Sequence, residues 1–172
     1  MQSQNTDFMD QAVSTAEESL AHGNYPVGAV LVIDGEVISV KGNTGESSKS
    51  YINHAETSLI IDHAESMLVA ASIGKSIDLY STLEPCLMCL GVAVMNKVSS
   101  ITYAQKDPHA GACGIDVTSL GIRYSEVWPK ITQQAESADR AKQLILQFLQ
   151  DQIATGSRLD WSKRMIELFN KS

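Results

Sequence analysis

Near the start of the chain Phe8, Met9, Ala12, Val13, Ala16 and Leu20 recur at helical spacing. The pattern predicts a helix over residues 6–21 with Gly23 as its C-cap. Residues 26–33 form a short apolar, β-branched run, Asp34-Gly35 is a hairpin signal, and residues 36–40 form the return strand. Residues 41–51 are rich in Gly, Ser, Asn and Thr and read as a loop. Helical periodicity returns over residues 54–71, with Ala55, Leu59, Ile60, Met67 and Leu68 as the apolar stripe and Gly74 as the stop. Residues 77–83 read as a buried strand, Pro85 suits the first turn of a helix over residues 86–96, and residues 100–104 make another strand. Beyond a turn-rich loop at 106–114, a weak strand is predicted at 122–127. A long helix follows over 137–153, and Gly156 separates it from a last helix over 159–169. This order predicts an α/β fold, a three-layer α/β/α sandwich around a mixed five-stranded sheet.

The 172 residues show no repeat, low-complexity segment or linker, so one domain over residues 1–172 is expected. A hydrophobic share of 44% and a charged share of 19% are those of an ordinary globular protein. No apolar run approaches the ~20 residues that span a bilayer, and the first residues lack the basic start of a signal peptide. Three cysteines, two of them in Cys86-x-x-Cys89, do not suit a secreted disulfide scaffold, which points to a reducing cytoplasm. The net charge of -7, with thirteen basic residues thinly spread, lowers the expectation of a nucleic-acid partner.

Chemistry concentrates in His54-Ala55-Glu56 and Pro85-Cys86-Leu87-Met88-Cys89. Two cysteines three apart at a helix start present both sulfurs to one side, and helix N-termini favour thiolates. With one imidazole they make three zinc ligands and leave one tetrahedral position open, where water becomes a nucleophile. Glu56, two residues from the imidazole, is the carboxylate able to move that water's protons. A redox pair is the alternative for Cys86 and Cys89, and a structural zinc site would need a fourth ligand such as Cys113.

These two motifs resemble the cytidine deaminase-like superfamily of zinc nucleobase deaminases. Pro26-Val27-Gly28-Ala29-Val30 is similar to the family's first strand, and Thr82-Leu83-Glu84 precedes Pro85 in the family's manner. The resemblance covers residues 25–114 and is nearest to the branch of tRNA adenosine, guanine and fungal-type cytosine deaminases. It implies one Zn2+ per chain on His54, Cys86 and Cys89, with Glu56 as the catalytic proton shuttle. It also implies that Asn43 bonds the base, that Val27 packs against the ring, and that the Ala55 N–H and the Glu84 carbonyl face the base edge and the departing ammonia. Asp107 matches an acidic position in a cleft-bordering loop. Asn43 has a plain alternative as a turn residue after Gly42.

His109 reads as a loop histidine, and His22 and His63 as surface residues on helices. Trp161 and Phe169 either close over a base or pack against the core, and helical spacing favours packing. The charge balance and the Ile52-Asn53 approach to His54 favour a free base or nucleoside of guanine or cytosine type as substrate. The alternatives are a tRNA-specific adenosine deaminase and a non-catalytic zinc-binding module. A homodimer with contacts through the 89–94 helix is expected, and no membrane association.

Overall fold

The computed structural model describes residues 2–172, with side chains from Asp7 onward. In chain order the helices are α1 (Gln2–Ala21), α2 (Gly45–Ser48), α3 (Ala55–Ser72), α4 (Leu87–Met95), α5 (Ile122–Val127), α6 (Ala138–Ala154) and α7 (Leu159–Lys171). The strands are β1 (Gly28–Ile33), β2 (Glu36–Gly42), β3 (Ile77–Leu83), β4 (Ser100–Gln105) and β5 (Lys130–Gln133). They form one sheet in the order β2-β1-β3-β4-β5. β1 is antiparallel to both its neighbours, while β3, β4 and β5 run parallel.

β1 is buried along its whole length, which is why it reads as an unbroken apolar run. Its connection to β2 is the Asp34-Gly35 turn, where both residues have positive φ (55° and 85°). A tight two-residue hairpin of the matching twist requires that geometry. Val30, Val32 and Tyr80 on one sheet face pack against Phe8, Met9 and Ala12 of α1 and Ala141 of α6. Ala29, Leu31 and Ile33 belong instead with Leu59, Ile60 and Met67 of α3 and Leu90 and Ala93 of α4. Met165 and Phe169 of α7 join that core beside Ile145, Phe148 and Leu149 of α6. The mixed sheet thus carries helices on both faces, as the element order predicts. No helix among the described residues is long and apolar enough to cross a membrane.

Two expectations are corrected. Residues 122–127 are helical, and the fifth strand is β5, two residues later. Pro129 accounts for the boundary: it pushes Trp128 into extended backbone (φ −67°, ψ 131°), ending α5 and starting an edge strand. β5 is polar and largely exposed, so hydrophobicity does not announce it. Leu68 is 49% exposed rather than part of the buried α3 stripe. On α4, Cys89, Leu90, Ala93 and Val94 face the core, while Leu87 and Met95 are 63% and 51% exposed.

The topology gathers the chain's chemistry at one end of the sheet. β3 and β4 end there, β1 begins there, and β2 returns there, with Gly28 opposite Gly42 and Leu83 opposite Gln105. The segments leaving these ends carry Val27, Asn43, Glu84 and Asp107. Ligand sites in sheets with parallel strands form at such carboxyl ends. Gly28 lets α1 approach this end closely: a Cβ there would collide with the Ala12 carbonyl and lie 2.8 Å from the Ala16 nitrogen. Gly28→Ala is therefore expected to cost about 1–3 kcal/mol in urea denaturation. An unchanged unfolding midpoint would show that α1 is not packed this tightly.

Candidate active site

His54 and Cys86 are the residues immediately before α3 and α4, both in extended backbone (φ −70°, ψ 155° and φ −72°, ψ 170°). Each therefore projects from a helix N-terminus, and Cys89 returns to the same side in the first turn of α4. Cys86 Sγ lies 3.7 Å and Cys89 Sγ 3.4 Å from His54 Nδ1, and the sulfurs are 3.6 Å apart. A tetrahedral zinc ion with Zn–S of about 2.3 Å and Zn–N of about 2.0 Å has edges of roughly 3.8 and 3.5 Å. The three residues fit that ion. The sulfurs are too far apart for a disulfide, which needs about 2.05 Å.

Among the described residues, the cluster within ligand reach of one ion is His54, Cys86 and Cys89. Cys113 is not part of it, so the arrangement lacks the fourth protein ligand that a purely structural site requires. Hydrogen bonding from Cys89, and then from His54, pulls the Cys86 thiol down to about 4, whereas the same shared bond and burial push Cys89 up. The thiolate is thus already favoured at Cys86.

Glu56, in the first turn of α3, is 3% exposed. Its Oε1 accepts from Ser81 Oγ at 3.0 Å, and its Oε2 lies 3.5 Å from Cys89 Sγ. Burial raises its pKa above the usual carboxylate value. One oxygen is anchored by the sheet, and the other faces the ligand cluster.

A cavity of about 300 Å³ opens above these groups, and Val27, Asn43, Glu84 and Asp107 all line it. That volume is at the small end of ligand pockets, roughly 300–1,000 Å³. Asn43 Oδ1 accepts from Gly45 N at 2.7 Å, so it shapes a turn as well as lining the pocket. Its amide hydrogens remain as donors. Ala55 heads α3, where the N–H lacks an intrahelical acceptor; it is fully buried and is not one of the lining residues.

The Glu84 carboxylate turns away from a substrate role and holds the 107–113 loop. It accepts from Asp107 N at 3.2 Å and Cys113 N at 3.0 Å, and a Cβ on Gly111 would run into it. Asp107 in turn accepts from His109 N at 2.8 Å and Ala110 N at 3.2 Å, which brings His109 to the pocket wall.

The remaining wall was not foreseen from sequence. Tyr25, Glu46, Tyr51, Arg158 and Met165 line the cavity together with Trp161. Tyr25 meets Phe148 edge-on at 5.3 Å and Trp161 at 6.4 Å, so aromatic packing seats α6 and α7 against the pocket. Of the two C-terminal aromatics, Phe169 is core and Trp161 is wall. The one usable sequence signal was Tyr25, an aromatic placed directly before the Pro26-Val27 strand entry.

Residues 2–105 match the family model of the cytidine and deoxycytidylate deaminase zinc-binding region. The chain belongs to this family. Two relatives are called tRNA-specific adenosine deaminase. The Bacillus subtilis protein is 38% identical over 62% of this chain and 65% of its own length. The Agrobacterium fabrum protein is 34% identical over 69% of this chain and 74% of its own. A solved structure from work on A-to-I editing by tRNA:A34 deaminases superposes with a TM-score of 0.63 at 29% identity, covering 76% of this chain and 98% of that one.

These relatives within the family overturn the expectation of a small base or nucleoside in preference to tRNA. That expectation rested on the charge of the whole chain, whereas nucleic-acid contact is set by local charge at the mouth of a site. One zinc per chain is expected by elemental analysis of the purified protein. Cys86→Ala and Cys89→Ala should each lower it to below about a tenth, and Cys113→Ala should leave it intact. Zinc loss in Cys113→Ala would contradict the three-ligand site.

Proposed function

We propose that the protein is a zinc-dependent hydrolytic deaminase that converts adenosine to inosine in the anticodon loop of tRNA. The reading is supported by the names of its relatives and carried by one observation. A buried carboxylate, Glu56, lies against the His54–Cys86–Cys89 cluster at the floor of a cavity sized for a single base. Such a pocket accepts a base only after it leaves the stack, which a single-stranded loop permits at low cost.

His54, Cys86 and Cys89 would hold a zinc ion, which when bound would acidify a water for use as the nucleophile. Glu56 takes a proton from the attacking water and delivers it to the ring nitrogen adjacent to the carbon that bears the amine. The ring carbon becomes tetrahedral. Glu56 then moves the remaining water proton to the exocyclic nitrogen, the C–N bond breaks, and ammonia leaves while a carbonyl forms. Adenosine and water yield inosine and ammonia.

Burial strengthens Glu56 as a proton acceptor, and the Ser81 hydroxyl holds it in position between water and ring. The Asn43 amide and the Ala55 N–H donate to the base, and Val27 packs against its face. The Glu84 carbonyl receives the departing ammonia. Asp107, with Oδ1 engaged by its own loop, offers Oδ2 at the cleft border. The catalytic core and the C-terminal helices act as one unit, since Trp161 and Met165 complete the wall. A tRNA substrate and three unpaired cysteines fit a reducing cytoplasm.

Inosine formation in an adenosine-bearing anticodon stem-loop is the test. Glu56→Gln should lower turnover by roughly 10²–10⁴-fold with zinc retained. Stem-loop binding should weaken steeply as salt rises. Full turnover in Glu56→Gln would sink the proton-shuttle role, and salt-independent binding would sink the RNA substrate.

A further inference from the structure

The floor and walls of the cavity are acidic, with Glu46, Glu56, Glu84 and Asp107 all lining it. A phosphate cannot follow a base into such a space without strong repulsion, so the backbone of a nucleic-acid substrate must stay at the mouth. A cation is found there. Arg158 immediately precedes α7 and lines the cavity. Two other segments that contribute to the wall carry the exposed Lys49 and Lys106.

Arg158 is held in place by three neighbours. Its guanidinium lies 3.2 Å from Glu46 Oε1, 3.4 Å from the Tyr51 hydroxyl and 5.8 Å from the centre of the Trp161 ring. Its backbone is left-handed (φ 49°), an unfavourable conformation for a residue other than glycine, which these contacts offset. Its side chain is 37% exposed, so the charge remains available to a ligand. Tyr51 is 77% exposed on a turn at the same mouth and contributes little to the core. Two flat aromatic groups and a planar cation therefore surround an opening sized for one base. Unstacked RNA is recognised by such groups, with neighbouring bases stacking on aromatic and guanidinium planes while cations meet phosphate.

We propose that Tyr51, Arg158 and Trp161 form a rim that binds the nucleotides flanking the target base in a single-stranded RNA loop. This proposal rests on the RNA reading of the pocket. Bases on either side of the flipped adenosine stack on Tyr51 and Trp161, and Arg158 exchanges its bond with Glu46 for one with the adjoining phosphate. The rim sets affinity for the loop, while the groups below it perform the reaction.

The test uses the zinc-loaded full chain carrying Glu56→Gln, and a fluorescein-labelled single-stranded heptaribonucleotide with a central adenosine. Adding Tyr51→Ala should weaken binding by roughly 5- to 100-fold, and adding Tyr51→Phe should restore it to within about threefold. Adding Arg158→Gln should weaken binding and reduce the salt slope by about 0.7, the loss of one single-strand phosphate contact. Thermal melting identifies any variant that has lost its fold, and Tyr51, being exposed, gives an arm independent of α7. Heptamer affinity unchanged in Tyr51→Ala, an unchanged salt slope in Arg158→Gln, or no measurable binding to the parent would each overturn the rim. Binding that depends on Tyr51 and Arg158, with no inosine formed by the unsubstituted enzyme in any adenosine-bearing RNA, would uphold the rim and refute the proposed reaction. Editing by the unsubstituted enzyme with rim variants binding normally would do the reverse.

Discussion

Three ligand atoms must lie within 3.4–3.7 Å of one another although their residues are 32 positions apart at the nearest approach between motifs. That constraint governs the surrounding architecture. Two helices have to begin at one point, because His54 and Cys86 reach the ion position only as the residues before α3 and α4. Two helix N-termini converging there supply partial positive charge, which favours the thiolates. The sheet holds this junction: β3 leads into Pro85 and Cys86, while its Ser81 holds Glu56 at the start of α3. Moving either helix by one turn would separate the ligands and carry Glu56 away from them.

Polar burial concentrates around the same junction and is matched by partners. The Glu84 carboxylate is occupied by the amides of Asp107 and Cys113, so its side chain shapes the 107–113 loop. Asn43 combines a turn with pocket lining through opposite ends of its amide. An unpaired polar group at such burial costs about 1–3 kcal/mol. Glu84 and Asn43 thus each serve the backbone as well as the pocket, while Glu56 is held by the Ser81 side chain. The C-terminal helices close the remaining side through Tyr25, Phe148 and Trp161.

The parts of this protein that were legible in sequence are those where local pattern and tertiary role coincide. The β1–β2 hairpin follows from Asp34-Gly35, and the ligands follow from Cys86-x-x-Cys89 read together with His54-Ala55-Glu56, a combination that a redox pair does not need. α5 and β5 were misread because a short helix ended by Pro129 and a polar edge strand leave no hydrophobic period. Leu68 falls on the helical stripe yet remains 49% exposed, since periodicity assigns a face without showing how far the covering layer extends. Glu46, Tyr51 and Arg158 meet only through the packing of α7 over the loop before α3, a contact across 107 or more positions that no local pattern encodes. Net charge misled for a related reason: the -7 of the chain is an average, and the charge met by a ligand is that of a few side chains at one opening.

X-ray absorption at the zinc edge of the purified protein measures the central claim most directly. A coordination sphere of two sulfurs at about 2.3 Å and two nitrogen or oxygen atoms at about 2.0–2.1 Å is predicted, one of the latter exchanging with solvent. Three or four sulfurs at zinc, or a resting site in which a fourth side chain excludes water, would contradict it.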